Sequence, residues 1–196
     1  MSRAAARSTS SPDRRKLLLY ATLAVVVLAI VVGVGLASRV PKAASVAPMD
    51  SKLKVGDKAP SFSVATNAGN FDLAQVSTPV LLEVFATWCP HCQRETAVLN
   101  DLASKYAGKV AIVSVSGSAQ GIDGTSPESQ ADVNGFGAQF NVKYPLAFDP
   151  ELKVGSLYLQ GGFPTIVLID KSKKVSLIKS GEVPENDLTK AIDKTI

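Results

Sequence analysis

Two residue types are nearly missing from the sequence: its 196 positions hold two cysteines and one histidine. That excludes a scaffold stapled by several disulfides. A structural zinc site normally takes four Cys or His ligands, more than the chain possesses, and is disfavoured. No histidine lies outside the cysteine-bearing stretch to complete a copper site, so metal-ion carriage is disfavoured too. Net charge is also absent from most of the chain. Arg3, Arg7, Arg14, Arg15 and Lys16 against Asp13 supply the whole formal charge of +4, and the 16 basic and 16 acidic residues that follow cancel. A nucleic-acid surface thereby loses its main support.

One long uncharged run stands out. Leu17 to Ala37, LLLYATLAVVVLAIVVGVGLA, is 21 residues without a charge. At about 1.5 Å per residue, a helix of that length spans the roughly 30 Å hydrocarbon core of a bilayer. The basic residues 1–16 before it predict a cytoplasmic N-terminus and an exported remainder. A cleaved signal peptide is the alternative, since Gly35-Leu36-Ala37 offers small residues at cleavage positions. Either way the following domain is expected outside the cytoplasm. Residues 38–52, with Pro41 and Pro48 and no apolar periodicity, read as a linker, and residues 53–196 as one domain.

Within that domain the pattern alternates between strand and helix. Phe62 to Ala65 and Phe71 to Val76, separated by Asn67 to Asn70, predict a hairpin. VLLEVFA after Pro79 is apolar on both faces, as expected of a central strand. A helix is predicted from Pro90 to Tyr106, with Gly108 as its stop, then a second buried strand from Val110 to Gly117; strand, helix, strand makes a parallel βαβ unit. Gly117 to Gln130 reads as a surface excursion, Ala131 to Asn141 and Leu152 to Leu159 as helices. Thr165 to Asp170 and Val175 to Lys179 make a second hairpin, and a last helix begins at Pro184.

The histidine and both cysteines fall in one stretch, TWCPHCQ, from Thr87 to Gln93. Cys89 follows the central strand and opens the helix, with Pro90 at the first helical position, where a missing N–H costs nothing. First-turn N–H groups at His91 and Cys92, and the His91 side chain when protonated, can stabilise a thiolate at Cys89. Cys92, one turn on, is placed to attack a mixed disulfide formed at Cys89. A purely structural disulfide would close so short a loop that it stabilises little. A redox-active dithiol without metal or cofactor is the reading that remains.

EVFATWCPHC, followed some seventy residues later by GGFPT, resembles the thioredoxin superfamily, and the apolar N-terminal run and leading hairpin resemble its TlpA/ResA-like branch of anchored extracytoplasmic thiol-disulfide oxidoreductases. The resemblance implies an α/β thioredoxin-like fold: a central mixed sheet flanked by helices, with an N-terminal β-hairpin extension and one preceding transmembrane helix. It implies a cis-proline at Pro164, with Phe163 lending backbone hydrogen bonds to a bound substrate; without it, Pro164 reads as a strand-entry proline. It also implies exported cysteine-containing proteins as clients, apocytochromes c among them if it extends to cytochrome maturation, and a membrane or extracytoplasmic thiol partner.

Two acids carry a functional and an ordinary reading each. Glu83 lies in the buried strand, six residues before Cys89, where the resemblance implies a proton-exchanging acid for Cys92 with a pKa raised by desolvation. The ordinary alternative is an acid reaching solvent or a lysine. Glu95, three residues after Cys92, matches a glutamate that tunes the pair in ResA-like proteins, and equally suits a helix's first turns. Trp88 either shields the cysteines or packs. Pro-His between the cysteines departs from reductive members of the branch and matches DsbA-type oxidases, so the resemblance leaves the direction of electron flow open. A second departure is the Lys171 to Lys174 turn, where relatives often place a glycine. A thiol peroxidase would require Thr or Ser at position 86 and Pro at 82, where Ala86 and Leu82 stand, and a redox-silent client-binding module is at odds with the intact CPHC.

Overall fold

The computed structural model describes Leu18, residues 23–26 and residues 51–196. Leu18 and Leu23 to Val26 are helical, with Leu18, Leu23, Val25 and Val26 exposed. Most of the expected membrane anchor, residues 17–37, lies outside the described residues, as does the basic tail; among the described residues no helix is long and apolar enough to cross a membrane.

Residues 51–196 form one compact unit. In chain order it contains β1 (Ser63–Thr66), β2 (Gly69–Asp72), β3 (Val80–Phe85), α1 (Pro90–Lys105), β4 (Ala111–Ser116), α2 (Gln130–Gln139), β5 (Leu146–Phe148), α3 (Lys153–Tyr158), β6 (Thr165–Ile169), β7 (Val175–Ser180) and α4 (Glu185–Asp193). The strands make a single mixed sheet in the order β2-β1-β5-β4-β3-β6-β7. β3 pairs in parallel with β4, and β4 with β5, while β6 runs antiparallel to β3. This is the thioredoxin-like arrangement, with the βαβ unit in its expected place.

The period of two along the central strands builds two cores. Leu81, Phe85, Ile112, Ile166 and Leu168 face one side, where they pack with Leu99 and Leu102 of α1, Phe136 of α2 and Leu188 and Ile192 of α4. Leu82, Val84, Val113, Val115, Val167 and Ile169 face the other, against Val154 and Tyr158 of α3 and Phe62 and Leu73 from the N-terminal segment. All six residues of β3 are buried, as a strand covered on both faces requires.

The first hairpin is tighter than its sequence suggests. Thr66 pairs with Gly69, leaving only Asn67 and Ala68 as the turn; the Thr66 hydroxyl donates to the Gly69 carbonyl and accepts from the Ala68 N–H. Gly69 supplies the φ of +114° that so short a turn needs. β2 then stops at Asp72, whose side chain accepts from the Ala74 N–H, so the strand expected through Val76 ends four residues early. Between β6 and β7 the Lys171 to Lys174 turn forms with Lys173 at φ +62°, a glycine-like conformation held by a lysine whose ammonium donates to the Val76 carbonyl. The three-residue β5 carries no pattern long enough to read from sequence.

The Gly117 to Gln130 excursion is not wholly superficial: Ser118 and Glu128 within it are buried. The helix that follows begins with a capping box, in which the Ser129 hydroxyl accepts from the Asp132 N–H and the Asp132 carboxylate from the Ser129 N–H. That reciprocal cap offsets the glycines inside α2, of which Gly137 lets Leu146 approach closely: a Cβ there would stand 2.9 Å from Leu146 Cδ1.

Candidate active site

β3 delivers the chain to the edge of the core and α1 takes it away, with Cys89 at the junction as the N-cap and Pro90 as the first helical residue. Both cysteines are buried and reduced. In this thiol form Cys89 does not cap the helix, as the sequence would have allowed. Its Sγ lies 3.6 Å from the carbonyl oxygen of Phe163, to which the S–H can donate. Phe163 is joined to Pro164 by a cis peptide bond, as the resemblance implied. The indole of Trp88 stands edge-on to the Phe163 ring with centroids 5.9 Å apart, and its N–H donates to the Ser118 hydroxyl at 2.8 Å. Cys89, Trp88, Phe163 and Pro164 therefore meet in one place. Gly117 lies against this wall, since a Cβ on it would stand 2.5 Å from Val84 Cγ1 and 3.5 Å from Phe163 Cε1.

Cys92 is fully buried behind Cys89, and burial pushes its thiol pKa strongly upward. The negative charge of Glu83 acts in the same direction, which places the carboxylate within electrostatic reach of the sulfur. Glu83 does not reach solvent or a lysine. It sits opposite Ser114 in the β3–β4 register and accepts a hydrogen bond from the Ser114 hydroxyl, while its other oxygen, buried, makes no hydrogen bond among the described residues. Desolvation raises its pKa to about 8, against the lowering effect of Ser114.

Glu95 is also buried. One carboxylate oxygen accepts from the Val183 N–H at 3.0 Å, and burial lifts its pKa to about 7. His91, in contrast, lies on the exposed side of α1. Its Nδ1 is 2.5 Å from Glu182 Oε1, and Arg94 holds the same oxygen through Nε at 3.0 Å and Nη2 at 2.5 Å. Arg94 Nη2 also lies 2.8 Å from His91 Nδ1. That nitrogen serves one role at a time: protonated, it donates to Glu182; unprotonated, it accepts from Arg94. The hydrogen bonds from Arg94 and His91 depress the Glu182 pKa to about 2, Arg94 more than His91.

Sequence reasoning missed two groups of residues. Glu182 belongs to the link between β7 and α4, Gly181 to Val183, which touches the site three times: Gly181 N–H donates to the Pro164 carbonyl, Glu182 binds His91 and Arg94, and Val183 N–H donates to Glu95. The other is a third buried acid, Glu128, which accepts from the Thr87 hydroxyl at 3.0 Å and from the Ser116 hydroxyl, and whose pKa burial raises. A signal for it existed. Serines at alternate positions of a buried strand, Ser114 and Ser116, need partners, and each finds one acid. Among the described residues no cluster of His, Cys, Asp and Glu could hold a metal ion.

This geometry offers one thiol beside the exposed Trp88 and the half-buried Phe163, a second thiol buried behind it, and a neutralisable acid within reach of the second. Comparisons with known proteins point the same way. The Redoxin family model matches residues 54–193. The thiol-disulfide oxidoreductase ResA of Bacillus cereus is 31% identical over 146 residues, spanning 73% of this chain and 79% of that protein. Thioredoxin-like protein YneN of Bacillus subtilis is 25% identical over 143 residues, 72% of this chain and 80% of that protein. Among solved structures, a candidate DsbE thiol:disulfide interchange protein from Chlorobium tepidum superposes with a TM-score of 0.64 at 31% identity, covering 73% of this chain and 98% of its own.

Proposed function

The chain belongs to the Redoxin family and is a ResA/TlpA-like thiol-disulfide oxidoreductase of the thioredoxin superfamily, and on that premise we propose that it works outside the cytoplasm, held by residues 17–37, on exported cysteine-containing proteins. The observation that carries the site assignment is the meeting of Cys89 with the Phe163 carbonyl beside cis-Pro164, with Cys92 buried behind. An extended client segment laid against Phe163 brings its disulfide to Cys89. The Cys89 thiolate attacks one client sulfur, forming a Cys89–client disulfide and releasing the other client sulfur as a thiolate. Cys92 gives up its proton and attacks Cys89 Sγ, closing the Cys89–Cys92 disulfide and releasing the second client thiolate. Two electrons pass from the dithiol to the client.

Glu83 is the group that takes the Cys92 proton. A carboxyl with a pKa near 8 in the fold gives and accepts protons at working pH, in either direction of the exchange. Trp88 and Phe163 form the groove wall, and Pro90 fixes the helix start beneath it. Glu95 holds the Gly181 to Val183 link against α1 through the Val183 N–H, and His91 lies on the outer side of the pair. No cofactor beyond the cysteine pair is needed for this chemistry. The membrane anchor is supported by the uncharged run and by the exposed apolar side chains of Leu18, Leu23, Val25 and Val26. A cleaved leader would give the same chemistry in secreted form.

Client and direction remain linked. The ResA likeness favours reduction of client disulfides, with apocytochromes c as candidate clients, whereas the Pro-His dipeptide favours a DsbA-like oxidase or isomerase. The test is to reduce intact cells or spheroplasts expressing the full chain and treat them with a membrane-impermeant maleimide. Labelling at Cys89 without lysis, lost after mild oxidation closes the pair, is the expected result. Labelling only after lysis overturns the location, and labelling indifferent to oxidation overturns the dithiol reading.

A further inference from the structure

The direction of electron flow depends on how well the protein stabilises a thiolate at Cys89, and a cation between the two cysteines, such as His91, would favour that thiolate and a more oxidising pair. The structure gives His91 another partner. Its Nδ1 faces Glu182 at 2.5 Å, and Arg94, one turn along α1, is bound to the same carboxylate by two nitrogens. Arg94 is within electrostatic reach of Cys89, whose negative charge is among the influences that raise the Arg94 pKa. Both side chains on the outer face of α1 that could stabilise the Cys89 thiolate, His91 and Arg94, are thus engaged by one carboxylate.

We propose that Glu182 is a positioning residue that sets the redox balance of the Cys89/Cys92 pair, by engaging His91 and Arg94 and so weakening the stabilisation they give the Cys89 thiolate. The proposal rests on the dithiol reading above. Its consequence is a pair less oxidising than the Pro-His dipeptide alone would make, which moves the chain toward the reducing direction of its ResA relatives.

The placement is specific. Glu182 is fixed from both sides, by Gly181 N–H on the Pro164 carbonyl and Val183 N–H on the Glu95 carboxylate, so its carboxylate is presented to α1 by a segment that cannot drift without breaking those bonds. Other charged groups face the same region. Glu83 acts on Cys92 from the sheet side, and Glu95 lies under Val183; Glu182 raises the Glu95 pKa through charge repulsion, so neutralising Glu182 lets Glu95 ionise more readily and partly opposes the freed cations. Arg94, which is within electrostatic reach of Cys89 itself, sets the sign of the expected shift. As a surface ion cluster, Glu182 with its two partners contributes little to stability, which separates its effect on potential from any effect on folding.

The experiment equilibrates the full chain, in detergent, with glutathione redox buffers and follows the Cys89–Cys92 couple in Glu182→Gln, in Glu182→Asp, and in Glu182→Gln placed on a His91→Ala/Arg94→Ala background. Glu182→Gln is expected to shift the equilibrium toward the reduced form by about threefold to tenfold, a tenfold shift being ~30 mV for a two-electron couple. The same variant should speed iodoacetamide alkylation of Cys89 at pH 6, with Glu182→Asp staying near the parent and unfolding midpoints unchanged. In the doubly substituted background the shift should shrink severalfold. A couple indifferent to Glu182→Gln, or one shifted equally in the absence of His91 and Arg94, overturns the proposal. A parent chain that forms no Cys89–Cys92 couple at all would remove the dithiol reading itself, a different and separately visible failure.

Discussion

Cys89 Sγ and the carbonyl oxygen of Phe163, 74 residues further along the chain, stand 3.6 Å apart. On the proposed mechanism this is the sulfur that a client disulfide meets. With Cys92 replaced by Ala, the first exchange proceeds and the second cannot. Cys92→Ala is therefore expected to accumulate mixed disulfides with client proteins on non-reducing gels, and Cys89→Ala to accumulate none. Equal trapping by the two variants would contradict the assignment of attacking and resolving thiols.

Glu83 ionises near pH 4.5 when unfolded and near 8 in the fold, so between those values the folded chain holds a proton that the unfolded chain has lost. Its contribution to stability is full below about pH 4.5 and is lost as pH rises through 8. Glu95, raised to about 7, adds a loss of the same sign over the lower part of that window. Glu83→Gln stays neutral throughout. Urea unfolding should find it close to the parent at pH 4 and more stable by about 2–4 kcal/mol at pH 9, an upper range for so buried a group. Parallel pH profiles would show that Glu83 is not held neutral by the fold.

Trp88 is the only tryptophan, and it adjoins the attacking thiol. Its emission should change when the pair is oxidised, which makes the intact chain its own redox reporter. Ser118→Ala removes the acceptor of the indole N–H and frees the ring, at a cost of about 1 kcal/mol. Fluorescence anisotropy of the variant should fall while its fold is kept. An unchanged anisotropy would mean that packing on Phe163 alone holds the ring.

Glu128 ties the excursion after β4 to the segment that enters the active site. Glu128→Ala leaves the buried Thr87 and Ser116 hydroxyls without their acceptor and should lower stability by about 2–3 kcal/mol in thermal or urea unfolding. Glu128→Gln retains an acceptor oxygen and should lose less. Equal losses would assign the effect to charge rather than to hydrogen bonding.

The parts of this protein legible in its sequence are those governed by local rules. Short runs apolar on both faces, VLLEVF and VAIVSVS, mark the central strands, and Pro90 and Gly108 mark the ends of the helix between them, so Cys89 and Cys92 could be placed at its mouth. Glu83 betrayed itself by carrying a charge where none is cheap. Glu182 gave no such sign, because it is an ordinary acid in an exposed link and matters only through the fold that brings it to His91, 91 residues away. β5 is too short for any periodicity to register. Glu128 was concealed by its neighbours, since the small polar residues around it look like surface loop; only the serines facing it, read as hydroxyls in need of acceptors, pointed inward.

The chain enters the domain at a consequential point. Ser51 N–H donates to the Leu159 carbonyl, and the Gln160 side chain binds the carbonyls of Ser51 and Leu53. Gln160 N–H in turn donates to the Thr165 hydroxyl, which donates to the Gly162 carbonyl at 2.9 Å, one residue from Phe163. The residues by which the chain enters the domain and the wall on which Cys89 rests are therefore joined by one unbroken run of hydrogen bonds, so loosening either end loosens the other.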